Sequence, residues 1–134
     1  MNTGLNGKTC VISGASGGIG HSLIELLSRE KTSLILIDSD KKSLDQLKRK
    51  YRDAGFEWIH SNLENVDECK KIKLHIERPI HALVHLAGVF EPDNVGAEDH
   101  KVWDQAIQHN LTNAYTLSKL KSKGKKKGKW TILV

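Results

Sequence analysis

Eight residues, Ser13-Gly-Ala-Ser-Gly-Gly-Ile-Gly20, constrain the fold of this chain more than any others. They sit where an apolar run, Thr9-Cys-Val-Ile12, gives way to a helix-patterned run starting near Ile19. Gly14, Gly18 and Gly20 have the spacing G-x-x-x-G-x-G. Glycines let the backbone turn tightly and approach a ligand with no Cβ in the way. The N-terminus of the following helix offers unpaired N–H groups and a partial positive charge to an anion. A strand feeding such a turn into a helix is therefore a site for a phosphate pair. The glycines alone are a weak signal; the strand before, the helix after and an acid further on give them weight.

Taken in order, the chain alternates strands and helices. Residues 8 to 12 read as a buried strand, and helix one runs from about Gly18 to Glu30 with Ile19, Leu23, Leu26 and Leu27 on one apolar face. Leu34-Ile-Leu-Ile37 is a strand covered on both faces, ending at Asp38. Helix two covers roughly 40 to 53 with Leu44, Leu47 and Tyr51 inward, and Gly55 ends it. Phe56-Glu-Trp-Ile59 is a short third strand. A helix over about 65 to 77 places Val66, Cys69, Ile72 and Ile76 on one side and stops before Pro79. Ala82 to Leu86 is a fourth strand. A polar loop then leads to one long helix, about 99 to 120, with the stripe Trp103, Ala106, Ile107, Leu111, Ala114 and Leu117. Trp130 to Val134 is the fifth strand.

Five strands alternating with four helices predict an α/β fold, a doubly wound parallel sheet in the order 3-2-1-4-5 with helices on both faces. Ligands in such sheets bind beyond the carboxyl ends of the strands, where the order reverses. Gly14 to Gly20, Asp38, Asn62 and Ala87-Gly88 all fall at those ends. The 134 residues suit a single domain, 1–134. No apolar run approaches the roughly 20 residues of a membrane span, so a cytoplasmic protein is expected. Cys10 and Cys69 read as buried thiols, not a disulfide.

The net charge of +5 is local: seven lysines lie between Lys119 and Lys129, and the remaining 14 basic residues face 16 acidic ones, a balance of −2. Such a tract is ordinarily a solvated connection. A basic polyanion-binding protein is the third functional reading, and the absence of interleaved aromatic residues argues against nucleic acid.

Asp38 lies 24 residues beyond Gly14. A carboxylate there accepts hydrogen bonds from the adenosine ribose hydroxyls and repels a 2′-phosphate, which favours NAD over NADP. Capping of helix two is its alternative role. Lys41 and Lys42 are the residues that could instead reach a 2′-phosphate.

The stretch SGASGGIG, Asp38, Ala87-Gly88 after the fourth strand, and Asn110 within WDQAIQHNLTNAY together resemble the short-chain dehydrogenase/reductase family. Such proteins are NAD(P)-dependent oxidoreductases of Rossmann-like fold that act on alcohols, ketones, sugars or steroids. The resemblance implies that Ser13, Gly14, Ser16, Gly18, Ile19 and Gly20 form the pyrophosphate loop. It also implies that Asn62 and Leu63 flank the adenine and that Ala87 and Gly88 line the cofactor floor. Four positions depart from the family pattern. Ser13 stands where threonine is commoner, Asn62 where aspartate is usual, and His85-Leu86 where two asparagines are usual. Leu86 lacks an amide's hydrogen bonds, so a loosely braced turn is expected there.

Chemistry in the family rests on a tyrosine acid/base, a lysine that lowers its pKa, a serine on the substrate oxygen and an asparagine on a relay water. Asn110 matches the asparagine. The serine and the Tyr-x-x-x-Lys pair belong after the fifth strand, so this chain reads as the cofactor-binding half, shortened before them. Its alternative is a dinucleotide-binding module without catalysis. Tyr115 and Lys119 imitate the missing pair, but they precede that strand. Five steps along a regular helix turn Tyr115 roughly 140° away from Asn110. No residue spacing suggests a metal site; His81 and His85 read as satisfied strand histidines, while His21, His100 and His109 have no evident partner. An uncovered fifth strand and the 99–120 helix lead to the expectation of a homo-oligomer.

Overall fold

The computed structural model describes residues 2–63, 65–88 and 100–119 and the backbone of 131–133. The elements are β1 (Thr9–Ser13), α1 (Gly18–Arg29), β2 (Ser33–Asp38), α2 (Lys41–Lys50), β3 (Glu57–His60), α3 (Val66–His75), β4 (Ala82–His85), α4 (His100–Ile107), α5 (Asn113–Leu117) and β5 (Thr131–Leu133). A π-helical turn, Gln108–Thr112, joins α4 to α5.

The strands pair in parallel as β3-β2-β1-β4-β5, the order expected. β1 lies between β2 and β4 and is buried along its whole length. A strand enclosed on both faces has to be apolar throughout, and its period of two sends alternate side chains to opposite layers. Cys10, Ile12, Leu34 and Leu36 join Ile24, Leu27 and Leu47 from α1 and α2 in one core. Val11, Ile35 and Ile37 join Cys69 and Ile72 from α3 and Leu117 from α5 in the other. Both cysteines are free and buried. Burial pushes the Cys10 thiol up to about 12 and, with help from Glu68, the Cys69 thiol to about 11.

Helix starts follow local chemistry. Asp40 caps α2, its carboxylate accepting from the Ser43 backbone N–H at 3.1 Å and the Ser43 hydroxyl at 2.7 Å. Asn65 caps α3 through the Glu68 N–H at 3.0 Å. The turn after α2 closes at Gly55, with φ of +69°.

Two expectations about faces fail. Ile19 is 72% exposed and does not belong to the buried face of α1, which is Gly20, Ile24 and Leu27. The expected long fourth helix is interrupted: the Asn113 N–H bonds to the Gln108 carbonyl five residues back, so the ladder slips by one residue. A stripe counted at 3.6 residues per turn is therefore out of phase across the slip. Trp103 and Leu111 are exposed (64% and 62%), and the buried face is Asn113, Ala114 and Leu117. Leu120, the lysines from Lys121 to Lys129, and Trp130 lie outside the described residues.

Candidate functional site

A cleft of about 510 Å³ opens at the carboxyl ends of β1, β2 and β4, where the sheet order reverses. Its size is that of an ordinary small-molecule site. Gly14, Ser16 and Gly17 line it from the loop after β1, Asp38 from the end of β2, Asn62 and Leu63 from beyond β3, and Ala87 and Gly88 from beyond β4. Seven of the residues singled out in the sequence meet there. Gly18, Ile19, Gly20, Ser13 and Asn110 do not form its wall.

Each of those five has an identifiable place. Gly18 to Gly20 form the first turn of α1, whose N-cap is Gly17 and whose leading N–H groups receive no side-chain cap. A Cβ on Gly20 would collide with the Ala15 carbonyl, so this glycine lets the helix sit on the loop. Ser13 lies fully buried beneath the floor. Asn110, exposed on the π-turn, has its side-chain oxygen where a Cβ on Gly88 would be, which brings it to the rim of the cleft.

The loop is held from below by backbone. Gly14 and Ala15 both donate to the Ile37 carbonyl, at 2.9 and 3.2 Å. Gly14 has φ of +72°, and a Cβ there would lie 2.6 Å from the Ala87 nitrogen. Asp38, 9% exposed, bridges the loop to α2: one carboxylate oxygen accepts from the Ser16 N–H at 2.8 Å, the other from the Asp40 N–H at 2.9 Å. Asp40, not Asp38, is the cap of α2. Each Asp38 oxygen retains lone-pair capacity toward the cleft.

The floor is braced by residues that the sequence did not assign to it. The Ser13 hydroxyl lies 2.6 Å from His85 Nδ1, and His85 Nε2 lies 3.0 Å from the His109 carbonyl. The Ala87 N–H points to the Ser13 oxygen at 3.5 Å. The loosely braced turn expected beside Leu86 is thus tied through its other neighbour, His85. Burial holds the His85 imidazole below its ordinary pKa; the adjacent His109 carbonyl opposes that and the His109 ring adds to it. His109, which had no evident partner, is among the residues lining the cleft and anchors His85 with its carbonyl. His81 is satisfied, as expected, accepting from the Thr9 N–H at 3.1 Å.

Asn113, 1% exposed, is the second hidden brace. Its amide donates to the Leu63 carbonyl at 2.5 Å and accepts from Gln108 at 2.8 Å. Leu63 has φ of +50°, a left-handed conformation rare for a side-chain-bearing residue. Tyr115 is 65% exposed, lies outside the cleft and has the Lys119 ammonium 4.7 Å from its ring centre. Because the π-turn separates it from Asn110, the regular-helix angle between them does not apply; their separation comes from the observed placement.

Among the described residues no helix is long and apolar enough to cross a membrane, and no cluster of histidine, cysteine and acidic residues could hold a metal ion.

Comparison with known proteins places these features in context. A family model described as short chain dehydrogenase matches residues 8–133. A short chain dehydrogenase/reductase of Macrophomina phaseolina is 29% identical over 125 residues, spanning 88% of this chain and 71% of that protein. The 3-oxoacyl-[acyl-carrier-protein] reductase FabG of Rickettsia bellii is 30% identical over 115 residues, 86% of this chain and 47% of its own length. Among solved structures, a short-chain dehydrogenase/reductase of Brucella melitensis, named a glucose/ribitol dehydrogenase, superposes with a TM-score of 0.77 at 28% identity. That match covers 87% of this chain and 51% of the other. The chain thus spans about half the length of the Rickettsia and Brucella proteins.

Proposed function

Because the chain belongs to the short-chain dehydrogenase family, we propose that its cleft binds a nicotinamide dinucleotide, NAD in preference to NADP, as the cofactor-holding domain of an oxidoreductase acting on an alcohol or ketone. One observation carries the reading: Gly17 at the uncapped N-terminus of α1, the loop edge at Gly14 and Ser16, and a carboxylate at the end of β2 line the same cleft.

The fit can be followed residue by residue. α2 and α3 satisfy their leading N–H groups with Asp40 and Asn65, whereas α1 has glycine in that place. Linked phosphates supply the missing acceptor and are drawn by the positive end of the helix dipole. A Cβ on Gly18 would meet nothing within 4 Å, so the entrance is open there. Asp38 is placed to accept from ribose hydroxyls, and its charge disfavours a 2′-phosphate. Asn62 and Leu63 form the wall for the adenine, and Ala87 and Gly88 the floor. When bound, the nicotinamide supplies or takes the hydride. Asn110, at the rim beside Gly88, is placed to hold a water near the reacting end.

Calorimetric titration with NAD and NADP tests this reading. The expected result is saturable NAD binding with a Kd below about 1 mM, weaker with NADP. No saturation by either dinucleotide overturns it.

A further inference from the structure

The brace beneath the floor has a definite polarity. A carbonyl only accepts, so His85 Nε2, 3.0 Å from the His109 oxygen, carries the ring hydrogen. His85 Nδ1 is then bare and accepts the Ser13 hydroxyl at 2.6 Å, which leaves the Ser13 lone pairs facing the Ala87 N–H at 3.5 Å. Ser13 is 0% and His85 3% exposed, so water cannot readily replace either partner. The chain of bonds joins the ends of β1 and β4 to the π-turn that carries His109 and Asn110.

We propose that His85 is a positioning residue, and that its neutral form, protonated at Nε2 only, is required for the floor to accept a dinucleotide; this rests on the dinucleotide reading of the cleft. A second proton on the ring turns Nδ1 into a donor. Ser13 must then accept from it, and its own buried hydroxyl hydrogen loses the acceptor it had, to stay unsatisfied or turn against the Ala87 N–H. The floor loosens at Ala87 and Gly88, the residues the nicotinamide end would rest on. On the elements packed around His85, the π-turn contributes His109, whose charge opposes a second cation. β1 contributes Cys10 alone, its thiol held up at about 12, and β5 has no ionisable residue. Among the described residues at the carboxyl ends of the neighbouring strands, Asp38 is one strand further away and engaged with Ser16 and Asp40.

The test is NAD titration between about pH 5 and about pH 8 in the parent chain, His85→Asn and His109→Gln, together with nitrogen NMR of the histidine rings. In the parent chain affinity falls toward the acid end, by up to about ten-fold per pH unit once the pH is below the folded-state pKa of His85. His85→Asn has a flat profile, while His109→Gln, whose backbone carbonyl is unchanged, keeps the slope. A slope that survives in His85→Asn, or vanishes in His109→Gln, overturns the proposal. So does NMR evidence that neutral His85 carries its hydrogen on Nδ1, a measurement that needs no variant to fold. Absence of NAD binding by the parent chain at every pH overturns the dinucleotide reading and this proposal with it. Binding whose pH profile ignores His85 overturns the proposal alone.

Discussion

At one end of the cleft the loop 13–20 takes its shape from what its residues lack. At the other, residues 85–88 take theirs from a backbone carbonyl 24 positions away and a side chain 72 positions away in sequence. The loop is fixed by glycine at φ +72°, by Ile37 backbone bonds and by close backbone approaches at Gly14 and Gly20 that leave no room for a Cβ. The floor is fixed by Ser13 and His85, and the wall at Leu63 by Asn113, each of these side chains nearly without solvent contact. A site written in backbone tolerates almost any neighbour and almost no substitution of its own. A site written in buried side chains tolerates changes of residue type, provided the partners change together.

The sharpest way to break this contrast is at Gly14. Gly14→Val forces a β-branched residue into a left-handed conformation and drives its Cβ against the Ala87 backbone, 2.6 Å away. A loss of roughly 3 kcal/mol in unfolding free energy is expected by denaturant titration. Asn113→Ala attacks the other kind of construction. It strips the Leu63 carbonyl and Gln108 of their buried partner, and a loss of about 2 kcal/mol should appear in the same measurement. If Asn113→Ala were the costlier, the backbone loop would not be the more rigidly specified end. Asp38→Ala comes next, with NAD affinity about ten-fold weaker and the preference over NADP narrowed, as read by calorimetry.

How far the sequence discloses each end follows from the same difference. Glycine spacing after an apolar run is a local signal, so the loop, the sheet order and the position of Asp38 were all readable. Asp38's bridge from Ser16 to Asp40 was not, because no pattern within β2 reports which amides come to its end. The floor was read as weak because Leu86 lacks an amide. The compensating histidine was one residue away, but its partners are Ser13 and the His109 carbonyl, and no one-dimensional spacing links those. Asn113 was missed because the 3.6-residue count was carried through a turn bonded from 113 to 108. The same count put Trp103 in the core. A polar, buried Asn beside Ala114 and Leu117 was the only available hint that the phase had changed.

Acid tests the floor more gently than mutation. His85 is buried and held below its ordinary pKa, so near neutrality both folded and unfolded chains have it uncharged, and its contribution to stability is complete. Below about pH 6.5 the unfolded chain takes up the proton first. Stability then falls with falling pH until the folded-state pKa is passed, and levels off. His85→Asn should remove that component of the pH-stability curve, measured by urea midpoints across the acid range, whereas Gly14 variants should keep it.

The smallest expected effect belongs to Tyr115→Phe. The phenol is 65% exposed, lies outside the cleft, and its described partner, the Lys119 ammonium, contacts the ring face and not the hydroxyl. Phenylalanine preserves that face, so unfolding free energy should move by no more than about 0.5 kcal/mol, and the NAD isotherm should be unchanged. A tyrosine four residues before a lysine on a helix imitates a proton-transfer pair in sequence. What separates imitation from site is that this pair faces solvent while both ends of the cleft turn inward. A Phe variant with impaired dinucleotide binding would mean that the helix beyond the π-turn reaches the cleft with its outer face, and the division into a backbone end and a side-chain end would have to be redrawn.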